Sequence, residues 1–161
     1  MSDRYYAGIR IGSSLPREHL DRICALLETD GDDEETLLQR VEGGCLHHED
    51  SQAAGGEFGE LEEACRELGL AYVRESDGCW EILPQVAFWR PGMAEPQAVI
   101  ADNDGNPLAP MEALAEAREL LRTGRAAEDL ALLEKTTVDV PELPPFQIAV
   151  PEAADQRGPS E

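Results

Sequence analysis

The chain has 161 residues, 42% of them hydrophobic, and sets 34 acidic residues against 13 basic ones for a formal net charge of −21. That length supports one domain with a modest tail. The field of so acidic a chain repels nucleic acid, anionic lipid and phosphorylated ligands, and direct nucleic-acid binding needs cationic side chains that release counterions, so the partner expected is a basic protein surface.

From the N-terminus, Tyr5 to Ile11 alternates and is rich in β-formers, which predicts a strand. Gly12, Ser13 and Ser14 break it, Ser14 is expected to cap a helix opened by Pro16, and Leu20, Ile23, Cys24 and Leu27 give that helix one apolar stripe. A short helix is predicted from Glu34 to Val41, ended by Gly43 and Gly44, then a short strand at Cys45 to His48 and a loop from Ser51 to Gly56. The spacing of Phe58, Leu61, Cys65 and Leu68 predicts a helix over 57–68 with Gly69 as its C-terminal cap.

A β region follows. Leu70 to Arg74 and Cys79 to Leu83 read as a hairpin around Ser76-Asp77-Gly78, and Gln85 to Trp89 with Ala98 to Ala101 as a second β pair around Arg90-Pro91-Gly92. Asp102-Asn103-Asp104-Gly105-Asn106 reads as a turn, since a calcium loop begun at Asp102 would place Ala113 where a bidentate acid belongs. Two helices, 111–122 and 126–135, are split by Gly124 into an αα-hairpin. From Asp139 onward there are five prolines in 23 residues and no helical period, apart from an apolar island at 146–150 that is suited to a sheet edge of its own domain or of a partner. The organisation expected is a two-layer α+β domain over 1–110, a helical hairpin over 111–138 packed on it, and a Pro-rich extended tail over 139–161.

Charge is the most specific feature of the sequence. Residues 28–63 hold thirteen acids opposed only by Arg40, a net of −12. Burying Phe58, Leu61 and Cys65 turns Glu60, Glu63 and Glu67 outward as a carboxylate ridge. Rows of fixed carboxylates imitate a phosphate backbone, which is the physical logic of nucleic-acid-mimic inhibitors of the anti-restriction and anti-CRISPR type; only the charge pattern is shared with them. A solubilising surface is the plainer reading of the same residues. The residues expected to meet a basic partner, such as a nucleic-acid-binding protein, are Asp32, Asp33, Glu34, Glu35, Glu60, Glu63 and Glu67, joined by Trp89 and Arg90 as an aromatic–cationic anchor. Trp80 is assigned to the core.

No catalytic or cofactor motif stands out, and no cofactor is expected. Gly12-Ser13-Ser14 lacks both phosphate-loop patterns, and the one lysine, Lys135, is far from it. A rival reading is a small metal protein or enzyme built on Cys45, His47 and His48, although adjacent strand histidines point to opposite faces. A third reading is a scaffold that docks through the 146–150 segment. The cysteines Cys24, Cys45, Cys65 and Cys79, at gaps of 21, 20 and 14 residues, match no zinc spacing. With no signal-peptide pattern and no apolar run near the roughly 20 residues of a membrane span, a cytoplasmic chain with reduced, mostly buried thiols is expected.

Overall fold

The alternation of Arg4–Ile11 makes strand β1, with Ala7, Ile9 and Ile11 buried on one side. In the computed structural model, which describes residues 3–79 and 81–150, β1 lies inside a six-stranded antiparallel sheet. Its companions are β3 (Val41–Glu42), β4 (Cys45–Ala54), β5 (Tyr72–Ser76), β6 (Gln85–Trp89) and β7 (Gln97–Ile100), in the order β3-β4-β1-β5-β6-β7. The expected core position of Trp80 and the tail beyond Val150 lie outside the described residues.

Three helices cover one face of the sheet: α1 (Leu20–Leu26), entered through a single 3-10 turn at Arg17–His19, α2 (Glu34–Leu38) and α3 (Gly59–Leu68). They send Ile23, Cys24, Leu37, Leu61, Ala64 and Cys65 into one core with Ile9, Ile11, Leu46, Tyr72 and Trp89 of the sheet. Gly69 ends α3 at φ 70°, a left-handed conformation that costs glycine little. The architecture is α+β in two layers, as the sequence reads.

The other face is covered by the chain's own tail. Val73, Val86, Phe88 and Ala101 form a second apolar cluster with Val99, and Val138, Val140 and Leu143 lie across it as a strap. The strap then turns past the sheet end, and β8 (Phe146–Ile148) pairs in parallel with β2 (Ser13–Leu15). The apolar island of the tail thus docks on its own domain, with Phe146 and Ile148 both buried. In chain order between β7 and the strap, α4 (Met111–Arg122) and α5 (Ala126–Thr136) form the helical hairpin, which buries only Ala117 and Asp129.

Four local expectations are corrected. Ser14 is not a helix cap: Ser13–Leu15 is extended because β8 pairs with it, and Pro16 precedes the 3-10 turn without a side-chain cap. The strand at Cys45 does not stop at His48 but runs to Ala54, absorbing the predicted loop, since its pairing with β1 satisfies the backbone while its polar side chains stay exposed. The helix at Glu34 stops at Leu38, and Val41 joins β3 opposite Leu46. Cys79 to Leu83 is no return strand; β5 pairs instead with β6, and only an isolated Cys79–Ile82 bridge marks the intervening loop.

Candidate acidic interaction face

The acids of α2, of the α1–α2 loop and of α3 share the helical side of the sheet, because all three helices feed one core. Burying Leu61, Ala64 and Cys65 leaves Glu60, Glu63 and Glu67 exposed along α3 at steps of three and four residues. Asp32, Asp33 and Glu35 are exposed on the α1–α2 connection and the first turn of α2, and Glu34 is half-buried. Shallow depressions between them are lined by Asp21, Asp30 and Asp32, and by Glu34, Glu35 and Leu38. Leu38, 44% exposed, is an apolar contact point in a negative surround.

The carboxylates have different duties. Asp33 caps α2 by accepting from the Thr36 amide at 2.7 Å, and hydrogen bonds from Thr36 hold its carboxyl below the usual range. Glu34 pairs with Arg17 at 2.7 Å and Glu67 with Arg22 at 2.5 Å, links that tie α2 and α3 to the α1 region. Asp32, Glu35, Glu60 and Glu63 have no ion-pair partner among the described residues, so their charge is open to solvent or to a partner. Arg40, the sole base of the acidic block, donates to His48 Nδ1 at 3.2 Å. Glu62 is turned inward: it is buried against Arg74, with Arg74 Nε 2.8 Å from Glu62 Oε1. Helical spacing sets Glu62 apart from Glu60, Glu63 and Glu67, since four residues from Phe58 and three from Cys65 is the edge of the apolar stripe, but its partner lies on a distant strand and has no local signal.

Trp89 and Arg90 are placed otherwise than the sequence reading has them. The Trp89 ring is buried on the helical face, only 7% of the residue remaining exposed, and its indole donates to the Met93 carbonyl at 3.0 Å. Arg90 donates to the carbonyls of Tyr72 and Trp89, each at 2.9 Å, and to that of Pro141, thereby fastening the strap. Neither side chain lies among the exposed carboxylates.

Cys45, His47 and His48 do not converge. His47 sits opposite Arg10 on the strap side, whereas His48 sits opposite Ile9 on the helical side, with its ring 5.1 Å from that of Phe58. Burial, and then the Arg40 charge, lower the pKa of His48, which favours the neutral ring that accepts from Arg40. Among the described residues no three His, Cys, Asp or Glu side chains gather as metal ligands. All four cysteines are free, and burial pushes the Cys65 thiol up to about 12, where it is a poor nucleophile. No helix of the described residues is long and apolar enough to cross a membrane.

No family model, curated protein or solved structure matches the chain.

Proposed function

We propose that the chain is a non-enzymatic binding protein whose helical face, α1 to α3, presents carboxylates to a basic site on another protein. The observation that carries this reading is the placement of Asp32 in the α1–α2 loop, Glu35 on α2 and Glu60 and Glu63 on α3, all exposed and without ion-pair partners among the described residues, on the helical side of the sheet. A field of that sign accelerates encounter with a cationic surface and is screened by salt, so it acts mainly on the association rate. Leu38 would add a short-range apolar contact once the surfaces meet.

The finer form of the proposal is mimicry. A groove built for a nucleic-acid backbone accepts ordered negative charge, and the carboxylates spaced along α3 supply it. The partner is then a nucleic-acid-binding protein, and binding blocks its groove. The test is capture from the native host at low salt, followed by challenge with double-stranded DNA, RNA or heparin. Release by these polyanions supports mimicry, and retention in their presence would leave only a general acidic contact.

A further inference from the structure

We propose that the helical hairpin is a self-association surface through which two copies of the chain pack face to face into a four-helix bundle. The observation is an amphipathic hairpin whose apolar side no other described residue covers. Met111, Leu114, Leu121 and Leu130 are 77%, 42%, 57% and 57% exposed, a concentration of large apolar side chains on 26 residues. Water-soluble chains rarely leave such a cluster bare unless something covers it.

Helix geometry puts these residues on one broad face. At 3.6 residues per turn, Met111, Leu114 and Leu121, with Arg118 between, form a stripe along α4 to one side of the seam made by Ala113, Ala117 and Leu120. On α5 the seam is made by Asp129, Leu132, Leu133 and Thr136, and Leu130 lies off it in the same rotational sense. For two antiparallel helices, equal offsets from the shared seam emerge on the same side. The opposite side carries Glu112, Glu116, Glu119, Glu128 and Lys135.

Charge selects a second copy as the occupant. Residues 111–136 hold six acids and four bases, a net of −2, whereas the remainder of the chain holds 28 acids against nine bases. Two molecules this acidic repel one another over most of their surfaces, and the hairpin is where they can approach at least cost. A cationic partner, by contrast, is drawn toward α1–α3. The base of the hairpin meets the sheet in a cleft lined by Val99, Leu108 and Thr136, at the β7 edge and on the strap side, so pairing there leaves both acidic faces free. Arg118 and Glu134 lie on the apolar side of the hairpin without an ion pair among the described residues, and a two-fold arrangement offers each an opposite charge.

The size fits a modest dimer. Two helices about 18 Å long and about 20 Å across together bury on the order of 1,000 Å² over both copies, the lower end for a specific interface. Dissociation in the micromolar range is expected.

The test is sedimentation equilibrium of the full chain, from low to high micromolar concentration, at about 50 mM and about 500 mM salt. The expected result is a monomer–dimer equilibrium that tightens in high salt, because screening removes the repulsion and leaves the apolar contact. Leu121→Glu and Leu130→Glu, singly and together, should shift it to monomer with an unchanged far-ultraviolet circular dichroism spectrum; both side chains are exposed, and each single variant serves as the check on the fold of the other. A wild-type chain that stays monomeric at both salts overturns the proposal. So does a dimer that survives both substitutions, or one that high salt dissolves, which would place the contact on charged surfaces. The acidic-face reading has the opposite salt dependence, so the failure of either is distinguishable from the failure of the other.

Discussion

Arg74 of β5 and Glu62 of α3 form an ion pair inside the protein, the guanidinium Nε 2.8 Å from the Glu62 carboxylate with both side chains at or below 10% exposure. The same guanidinium donates to the Gly56 carbonyl at 2.7 Å, and Glu62 accepts from the Phe58 amide at 3.1 Å, so the pair pins the start of α3 to the sheet. Removing one member strands the other charge in a poorly solvated site. Arg74→Met or Glu62→Leu alone is predicted to cost about 3–5 kcal/mol, and the double substitution less than the sum. The double variant will not recover fully, because the Gly56 carbonyl loses its donor. Urea denaturation of the four proteins measures this, and strictly additive losses would show that the two charges are not coupled.

The strap is predicted to be part of the fold. Gly12 lies so close to it that an added Cβ would meet the Pro144 carbonyl oxygen at 2.0 Å. Gly12→Ala should therefore push the strap outward, cost about 1–3 kcal/mol, and speed proteolytic cleavage between Val138 and Phe146. Cutting the chain after Val138 should bare Val73, Val86 and Phe88 and raise binding of a hydrophobic dye. A truncated chain of unchanged stability would contradict the role given to residues 139–150.

His48 predicts a pH dependence. Its pKa in the folded protein lies below the ordinary 6.5, chiefly through burial and then through Arg40. The unfolded chain therefore binds the proton more readily, and stability is complete above about pH 6.5 and declines as pH falls through the window beneath it. Because protonation of carboxylates also relieves self-repulsion, the informative quantity is the difference from His48→Gln, which should lack this decline. Denaturation midpoints of the two proteins between about pH 5 and about pH 7.5 check it, and parallel curves would remove His48 from the account.

The parts of the fold legible in the sequence are those fixed by local periodicity. β1 alternates cleanly, α3 carries its stripe at helical spacing with a glycine at the cap, β6 and β7 flank an obvious turn, and α4 and α5 are split by Gly124. What was not legible depends on distant partners. The second half of β4, Glu49-Asp50-Ser51-Gln52, is polar throughout because it lies toward the sheet edge, and only the register with β1 makes it a strand. The extended Ser13–Leu15 follows from β8, more than a hundred residues away. The acidic ridge of α3 was readable from spacing, yet nothing local showed that Glu62 is spent on Arg74 or that Trp89 is buried.

A chain with a net charge of −21 should be stabilised by simple salt. Thermal midpoints are predicted to rise between about 20 mM and about 200 mM sodium chloride as repulsion is screened, and to rise less in a variant with Asp32, Glu35, Glu60 and Glu63 changed to lysine. Scanning calorimetry reads both effects. A midpoint that falls with salt would mean that attractive ion pairs such as Arg17–Glu34 and Arg22–Glu67 outweigh the repulsion.

The claim that the helical face is a docking surface is tested most directly by that fourfold lysine variant, which spares the Asp33 cap and the ion-paired Glu34 and Glu67. Both proteins are presented, as full chains, to extract of the native host at low salt, and the captured proteins are eluted in a salt gradient and identified. The account predicts a cationic protein that the wild-type chain retains at low salt, releases as salt rises, and that the variant fails to retain. An equal yield of the same partner on the variant, eluting at the same salt, would contradict it.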